Sequence, residues 1–321
     1  MSEQILVADI GGTNARFALA DCATHAIAEV QNFRAEDFET IRDAASAYLE
    51  SIVAKPKQAC FAIAGPVGNE EITFTNSHWK FRTDEIRAAL RLERFLVVND
   101  FYALAASVAH LPGDFFLPVK EAPGDPTAPT LVIGPGTGLG QALIVPFDST
   151  RRIVATEGGH VSFAPRTEEE IAVMKFIARE HPRVSVERLL SGRGLVNLHR
   201  ALCAISDTHR VSLRADEITA AALAGAYPIA IKAVHMFCAV LGRVAGDAVL
   251  ATGARGGVVL GGGILPKISD LFLKSEFVDR FLDKGRMRDY VDDVPIRMIV
   301  KEGAALIGAA VALQESGHEH S

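Results

Sequence analysis

A glycine-rich turn between two apolar runs near the N-terminus constrains the fold more than any other stretch. Residues 5–20 read ILVADIGGTNARFALA, in which the first apolar run reaches Asp9. The turn that follows contains Gly11, Gly12 and Thr13, and the pattern predicts a β-hairpin. Glycine permits a positive φ and leaves no side chain between backbone and ligand, while successive N–H groups in such a turn favour a phosphate. An ordinary hairpin with a solvated Asp9 explains the same residues.

A second copy of this pattern lies at residues 129–145, which read PTLVIGPGTGLGQALIV. Aligning Thr13 with Thr137 superposes apolar and glycine positions and places Ile133 opposite Asp9. Only the first copy therefore carries a carboxylate, a ligand suited to Mg²⁺ or its waters. Two phosphate-type hairpins, one with an acid, indicate two related domains that face a single nucleotide.

A third glycine motif follows at residues 256–265, with the sequence GGVVLGGGIL. It predicts a buried strand, a glycine turn and then a helix that begins near Pro266. Glycines in the turn, among them Gly262 and Gly263, would let the backbone lie against a flat adenine or ribose. Such a cluster alone has little specificity.

Asn99 and Asp100 follow the apolar run FLVV at residues 95–98, which predicts a buried parallel strand. Open α/β sheets bind ligands at the carboxyl ends of their strands. A polar residue before FYALAASVAHL is also an ordinary helix N-cap. The two interpretations are compatible, because Asn99 or a backbone group can cap a helix that runs to about His110 while Asp100 faces a cleft.

Two further motifs carry polar residues suited to a sugar. The turn from Glu157 to His160 (EGGH) puts a carboxylate and an imidazole on one tip, and vicinal hydroxyls need both acceptors and donors. A structural histidine explains His160 equally, and a metal site lacks further ligands nearby. Glu187, in VERLLSGRG, has the composition of an ordinary surface acid.

Two helices are predicted in the second half of the chain. Thr167-Glu-Glu-Glu170 is a capping box, and we expect its three acids to form a solvated first turn. Residues 228–252 predict one long helix that is too polar to span a membrane and forms the core of the larger domain.

Taken in order, the motifs ADIGGTNARFAL, VVNDF, IGPGTGLG, EGGH, ERLLSG and VLGGG resemble those of the bacterial glucokinases. These belong to the sugar-kinase branch of the actin-like ATPase superfamily. The ROK sugar kinases follow the EGGH histidine with a cysteine-rich zinc motif, which this sequence lacks, so the resemblance is to the non-ROK glucokinases. It implies an α/β, actin-like ATPase (ribonuclease H-like) fold with two domains flanking a central cleft. The domains expected are residues 1–110 plus 301–321 and residues 111–300, with a helix at 302–314 packing on the first.

The resemblance implies ATP-dependent phosphorylation of glucose at its 6-hydroxyl, the first step of glycolysis, with Asp100 as the catalytic base. The residues expected to bind the sugar are Asn99, Asp100, Glu157, His160 and Glu187. Those expected to bind ATP are Asp9, Gly11, Gly12, Thr13, Asn14, Gly136, Thr137, Gly138, Gly262 and Gly263. Mg²⁺ is expected at Asp9, through water.

Charge and cysteine usage bear on partners and compartment. The formal net charge is −6 and no basic run occurs, so we expect no nucleic-acid partner. Four cysteines without C-x-x-C spacing indicate buried thiols in a reducing compartment, and the N-terminus has no signal-like segment. We expect a cytoplasmic enzyme with no membrane association and, from the family, a homodimer.

Three alternatives stay open at this stage. One is a kinase for another hexose, because the sequence does not settle strict preference for glucose. Another is a sugar-sensing regulator, which would need a DNA-binding extension where only residues 1–4 precede the first strand. The last is a chaperone-like or filament-forming ATPase, which would share the nucleotide hairpins without the sugar residues.

Overall fold

The chain divides into two compact units. The structure, a computed structural model, describes residues 3–65, 67, 71–74, 79–208 and 212–317. The first unit comprises Met1–Gly113 and Lys301–Ser321, and the second comprises Asp114–Val300.

The first unit is built around a sheet that is covered on both faces. Leu6 and Ala8 of β1 (Gln4–Ile10) pack into one hydrophobic core. Ile5 and Val7 point to the opposite face and pack into a second core. Alternate residues of a strand face opposite sides, so the near-continuous apolar run of β1 is what a doubly covered strand requires.

The predicted hairpin is present, and it lies at the centre of this sheet. The five strands occur in the order β3-β2-β1-β4-β7, with β1 antiparallel to β2 and parallel to β4. The remaining two strands, β5 and β6, form a separate ribbon. The strands after β1 are β2 (Asn14–Asp21), β3 (Ile27–Arg34), β4 (Gln58–Ile63), β5 (Glu71–Thr73), β6 (Lys80–Arg82) and β7 (Arg94–Asn99).

Helices cover both faces of the first sheet. Tyr48 of α1 (Ile41–Ser51) packs with one core, and the short α2 (Thr83–Ala89) follows β6. The third helix, α3 (Asp100–Ser107), begins directly after β7 and ends earlier than the predicted His110.

The second unit repeats the strand order of the first. Its sheet has the order β11-β10-β9-β12-β13-β8, in which β9 pairs antiparallel with β10 and parallel with β12. An antiparallel β8 is added at the edge. The strands are β8 (Phe116–Lys120), β9 (Thr130–Pro135), β10 (Leu139–Phe147), β11 (Thr150–Thr156), β12 (Gly257–Leu260) and β13 (Ile296–Ile299).

A long buried helix organises the rest of the second unit. The helices are α4 (Glu168–Ala178), α5 (Gly192–Ile205), α6 (Ala215–Leu223), α7 (Pro228–Thr252), α8 (Ser269–Leu273), α9 (Phe277–Leu282) and α10 (Arg288–Asp292). The predicted ends of α7 are confirmed, with Pro at its first turn and Gly253 at φ 67° just beyond it. A Cβ at Gly242 would overlap the carbonyl oxygen of Phe277, so this glycine permits α7 to approach α9.

Burial, rather than polarity, distinguishes α7 from a membrane span. In length and composition it is apolar enough to cross a membrane, so the prediction that it is too polar is wrong. Its most apolar window is 67 % buried inside the protein, and its side chains belong to the main core of the second unit. The prediction that α7 forms this core is confirmed.

One predicted surface residue lies in the interior. Thr167 caps α4 as predicted, accepting a hydrogen bond from the N–H of Glu170 at 3.1 Å. Glu170, however, is only 5 % exposed and is paired with Arg243 of α7, so the expectation of a wholly solvated first turn is wrong. The capping pattern specifies the start of the helix but not what packs on it.

The last helix, α11 (Ala304–Glu315), returns to the first unit. Leu306, Ala309 and Ala310 share a core with Ile5 and Val7 of β1, which confirms the predicted packing of this segment.

All four cysteines are free. Cys60, Cys203 and Cys238 are buried as expected, whereas Cys22 is half-buried. Burial raises the pKa of the Cys238 thiol to about 12.

Candidate active site

The turn of the first hairpin is closed by its own hydrogen bonds. The N–H of Gly11 donates to the carbonyl of Asn14 at 2.9 Å, and the amide of Asn14 donates to Thr13 Oγ1 at 3.1 Å. The carbonyl of Thr13 accepts from the N–H of Ala35 at 2.9 Å. Thr13 and Asn14 are exposed, so the loop presents an amide and a hydroxyl to its surroundings.

The glycines of this turn do not use the positive φ that glycine permits. Among the described residues with positive φ, neither Gly11 nor Gly12 occurs. A Cβ at Gly11 would meet nothing closer than the carbonyl oxygen of Asn14 at 3.7 Å. The protein itself leaves room there for a side chain, and that room is available to a ligand.

Asp9 lies at the end of β1 and is half-buried. It stands opposite Arg16 in the ladder between β1 and β2. Burial raises the pKa of the Asp9 carboxyl, and the positive charge of Arg16 opposes this shift. Arg16 is itself held by Asn32 at 2.8 Å and by Glu302 at 2.8 Å. A bound cation would also lower the pKa of Asp9, as the charge of Arg16 does, and would favour the ionised carboxylate.

Asn99 and Asp100 stand at the carboxyl end of β7, as predicted. The Asn99 side chain caps α3, accepting from the N–H groups of Phe101 at 2.9 Å and Tyr102 at 3.1 Å. Its amide donates to the carbonyl of Gly65 at 3.2 Å. Asp100 is the first residue of α3, and its Oδ1 accepts from the N–H of Phe101 at 2.9 Å. The cap therefore belongs to Asn99, which fixes the backbone from which Asp100 projects.

The second hairpin has a tighter loop than the first. Pro135 pairs with Leu139 across a three-residue loop, in which the N–H of Gly136 donates to the carbonyl of Gly138 at 2.8 Å. The loop of the first hairpin has four residues, between the paired residues Ile10 and Ala15. A gapless alignment of the two hairpin sequences therefore superposes one strand of each but not the other. A Cβ at Gly136 would meet nothing within 4 Å, and Thr137 is exposed.

The third glycine motif packs directly on this hairpin. A Cβ at Gly262, where φ is 82°, would overlap the carbonyl oxygen of Pro135. A Cβ at Gly134 would overlap the backbone of Gly261. Glycine is thus needed at these positions for two backbones to touch. Gly263 has open space instead, with nothing within 4 Å of a Cβ.

The EGGH turn is seated on β10. Its glycines allow close contact, since a Cβ at Gly159 would overlap the carbonyl oxygen of Leu139 and one at Gly158 would overlap the Gln141 side chain. His160 Nε2 and Glu157 Oε2 are 3.7 Å apart, and more than half of each side chain is exposed. The turn therefore displays a carboxylate and an imidazole side by side.

Glu187 joins the sugar-directed region to the second hairpin. It lies in a 3-10 turn at Val186–Arg188, and its Oε2 accepts a hydrogen bond from the N–H of Leu139 at 2.9 Å. A Cβ at Gly138 would stand 2.5 Å from the same oxygen. Gly192, at the start of α5, donates its N–H to the carbonyl of Gly136 at 2.9 Å. The Glu187 carboxylate is half-buried beside the glycine loop of the second hairpin. It is therefore not an ordinary surface acid, which was the alternative interpretation from its sequence context.

Backbone hydrogen bonds tie the EGGH segment to the segment that carries Glu187. The N–H of Val186 donates to the carbonyl of Val161 at 2.9 Å, and the Arg183 side chain donates to the carbonyl of His160 at 2.8 Å. Four motifs of the second unit are thereby assembled in one place. The predicted residues that they contain are Gly136, Thr137, Gly138, Glu157, His160, Glu187, Gly262 and Gly263.

Two features of this assembly had no signal in the sequence. Leu139 contributes a backbone N–H to Glu187, and Gln141, which is 7 % exposed, supports the EGGH turn. Both depend on contacts between residues distant in the chain. Within the described residues, no group of three or more His, Cys, Asp or Glu side chains is placed to hold a metal.

Comparison with known proteins matches nearly the whole chain to glucokinases, in agreement with the resemblance seen in the sequence motifs. A family model described as Glucokinase matches residues 6–316. Glucokinase from Hahella chejuensis is 41 % identical over 314 residues, which cover 98 % of each chain. The crystal structure of a glucokinase from an Antarctic psychrotroph has a TM-score of 0.84 at 36 % identity, covering 98 % of this chain and all of that one.

A more distant structure shares the fold alone. It is a ROK family glucokinase from Streptomyces griseus in complex with glucose and AMPPNP, with a TM-score of 0.70 at 19 % identity, covering 97 % of this chain and 99 % of that one. The repeated sheet order, with a glycine hairpin in each copy, is that of the actin-like ATPase fold, and the matched glucokinases place the chain among the sugar kinases of this fold. Within that class, the chain belongs to the glucokinase family.

Proposed function

We propose that this protein transfers the γ-phosphoryl group of ATP to the 6-hydroxyl of glucose, giving glucose 6-phosphate and ADP. The observation that carries the proposal is the hydrogen bond from Leu139 to Glu187. It joins a phosphate-type glycine hairpin to a carboxylate suited to sugar hydroxyls. Family membership gives the reaction, and this contact supports adjacent positions for a phosphate-binding and a sugar-binding group on the second unit.

Asp100 accepts the proton of the 6-hydroxyl in this proposal. Phosphoryl transfer has a loose transition state, so an ordinary ionised aspartate suffices as the base. Asn99 holds the start of α3 and thereby directs Asp100, and it contributes to sugar binding. The position of both residues at the carboxyl end of a parallel strand supports this role.

Glu157, His160 and Glu187 orient the sugar. Carboxylates accept hydrogen bonds from hydroxyl groups, while a neutral imidazole offers one donor and one acceptor. The exposure of Glu157 and His160 beside each other supports their availability to a ligand. Glu187 has two carboxylate oxygens, one of which accepts from Leu139.

ATP lies against the glycine turns, where the protein leaves room for it. Open space at a Cβ position on Gly136 and Gly263, and no contact closer than 3.7 Å at Gly11, support this, because neighbouring protein atoms do not require glycine there. Residues of the two hairpins hold phosphates, and the third turn faces adenosine. The residues assigned to phosphates are Gly11, Gly12, Thr13, Asn14, Gly136, Thr137 and Gly138, and those assigned to adenosine are Gly262 and Gly263.

Asp9 fits a water-mediated role at Mg²⁺. Magnesium in kinase sites is held by one or two carboxylates together with substrate phosphates, so a single half-buried aspartate beside a phosphate turn is sufficient. The ion, when bound, neutralises charge on the transferred phosphate. Arg16, which is opposite Asp9 in the ladder between β1 and β2, lowers the pKa of this carboxyl and so favours its ionised form.

The domains proposed are residues 1–110 plus 301–321 and residues 111–300. Closure of such domains around glucose excludes water that would otherwise attack ATP. We assign the enzyme to the cytoplasm as a homodimer, following the expectation from the sequence.

The test is release of ADP by the purified protein with MgATP and each of several sugars. We expect release that depends on glucose, with slower turnover for mannose, fructose and N-acetylglucosamine. Faster turnover with another hexose would reassign the substrate. ATP hydrolysis independent of any sugar, or none with all of them, would contradict the proposal.

A further inference from the structure

A buried ion pair lies behind the sugar-directed segments of the second unit. Arg243 Nη1 of α7 is 2.8 Å from Glu170 Oε2 of α4, and the two side chains are 9 % and 6 % exposed. Neither residue belongs to the site described above. The pair is the interior contact between the first turn of α4 and the middle of the long buried helix.

The ion pair also contacts the segment 163–166, which follows His160 in the chain. Glu170 Oε2 accepts a second hydrogen bond, from the backbone N–H of Arg166 at 2.6 Å. The Arg243 guanidinium carbon is 5.7 Å from the centre of the Phe163 ring, within the range of a cation–π contact. Both ends of the segment 163–166 are therefore fixed to the pair.

That segment is continuous with the two sugar-directed turns. The N–H of Phe163 donates to the carbonyl of Val184 at 3.0 Å, and the N–H of Val186 donates to the carbonyl of Val161 at 2.9 Å, on either side of an isolated β-bridge between Ser162 and Ser185. His160 precedes the first of these two segments and Glu187 follows the second. A shift of Phe163 would therefore be passed to both side chains through the shared backbone hydrogen bonds.

Stability alone does not account for this pair. Taking two charges out of water is costly, and apolar replacements of similar volume are often neutral or stabilising. The ion pair between Glu170 and Arg243 carries an additional cost, because Arg243 Nη2 is buried without a hydrogen-bond partner among the described residues. What the pair does provide is two directional contacts on one segment, which apolar side chains do not reproduce.

We propose that Glu170 and Arg243 are positioning residues for the sugar, acting through Phe163 and Arg166 to set the places of His160 and Glu187. This inference rests on the proposed function and goes beyond it, since neither residue touches a substrate. It predicts an effect on glucose that is separate from any effect on ATP.

The test replaces the pair by apolar residues of similar length, in the double variant Glu170→Met/Arg243→Met. We expect a folded protein in which the KM for glucose rises by about tenfold, because displaced His160 and Glu187 side chains lose hydrogen bonding to the sugar equivalent to about one bond. The KM for ATP should stay within about twofold of the wild-type value. Amide hydrogen exchange at residues 161–166 should be faster than in the wild type.

The chain offers a matched control on the same two helices. Lys232 of α7 pairs with Glu169 of α4, and both side chains are partly exposed. The double variant Glu169→Gln/Lys232→Gln should change neither KM nor exchange at 161–166. If it raises the glucose KM as much as the buried variant does, disturbance of the helices explains the effect and the proposal fails.

Two further outcomes are decisive. A folded Met/Met variant with unchanged glucose KM and unchanged exchange would overturn the proposal. If that variant does not fold, Glu170→Gln decides. It keeps the size of the side chain but removes the charge, which weakens both the pairing with Arg243 and the hydrogen bond from Arg166. An unchanged glucose KM and unchanged exchange at 161–166 in that variant would then overturn the proposal. Wild-type protein without glucose kinase activity would refute the proposed function instead, and the exchange measurement distinguishes the two failures.

Discussion

The carboxylate of Glu187 accepts a hydrogen bond from the backbone N–H of Leu139, with 2.9 Å between the two heavy atoms. Leu139 is the first residue after the glycine loop of the second hairpin. The residue assigned to glucose is thus part of the support of a loop assigned to ATP phosphates. Binding of the two substrates is expected to be coupled through this one side chain.

Two substitutions of Glu187 separate its two roles. Glutamine keeps an oxygen that accepts from Leu139 but loses the charge, so Glu187→Gln should raise the KM for glucose by roughly ten- to a hundredfold, from a loss of about 1–3 kcal/mol. The KM for ATP should stay close to the wild-type value. Alanine removes the acceptor as well, so Glu187→Ala should raise both KM values. Steady-state kinetics that show equal effects of the two variants on ATP would refute the supporting role.

Adjacent glycines in the third motif are expected to behave differently. Gly263→Ala should leave the melting temperature unchanged, because a Cβ there meets no protein atom within 4 Å. If adenosine lies on this turn, the added methyl should weaken ATP binding by about 1–3 kcal/mol. Gly262→Ala is the control for packing, since φ is 82° and the Cβ would overlap Pro135. It should lower stability by about 1 kcal/mol or more. Unchanged ATP affinity in a folded Gly263→Ala protein would remove this turn from the nucleotide site.

Acid sensitivity of folding is predicted at His199. This buried residue of α5 is 3.7 Å from the Cys203 sulfur and packs edge-on against Tyr227. Burial lowers its pKa from 6.5, so the unfolded chain takes up a proton before the folded chain does. Its contribution to stability is present above about pH 6.5 and is lost as the pH falls towards the folded-state pKa. The free energy of unfolding, measured with urea at several pH values, should fall with decreasing pH more steeply in the wild type than in His199→Gln. The difference between the two pH slopes should reach up to about 1.4 kcal/mol per pH unit. Equal slopes for the two proteins would contradict this assignment.

Local patterns in the sequence were sufficient for much of this structure. The two hairpins and α7 follow from apolar runs, glycine turns and helical capping, all of which act within a few residues. The sequence also predicts a cap at Asn99 or a backbone group, and the structure assigns it to the Asn99 side chain, because capping is a local hydrogen bond. The assignment of particular residues to sugar, nucleotide and Mg²⁺ stays a prediction.

The failures concern contacts between distant residues. Glu170 has the sequence context of a solvated helix start, yet Arg243 of another helix buries it. The one-residue difference between the two hairpin loops is set by strand register, which similar turn sequences do not reveal. The link from Glu187 to Leu139 likewise spans 48 positions and has no local signature.

The substitution Asp100→Asn, with glucose binding and turnover measured on the same preparation, tests the proposed mechanism most directly. Asparagine preserves size and hydrogen bonding at the start of α3 but does not accept the proton of the 6-hydroxyl. Turnover should fall by roughly 10²-fold or more while the dissociation constant of glucose changes little. Asp84→Asn, at an exposed acid in the first turn of α2, should leave turnover unchanged. Near wild-type turnover in Asp100→Asn would contradict the account, since the reaction would then proceed without the base assigned to it.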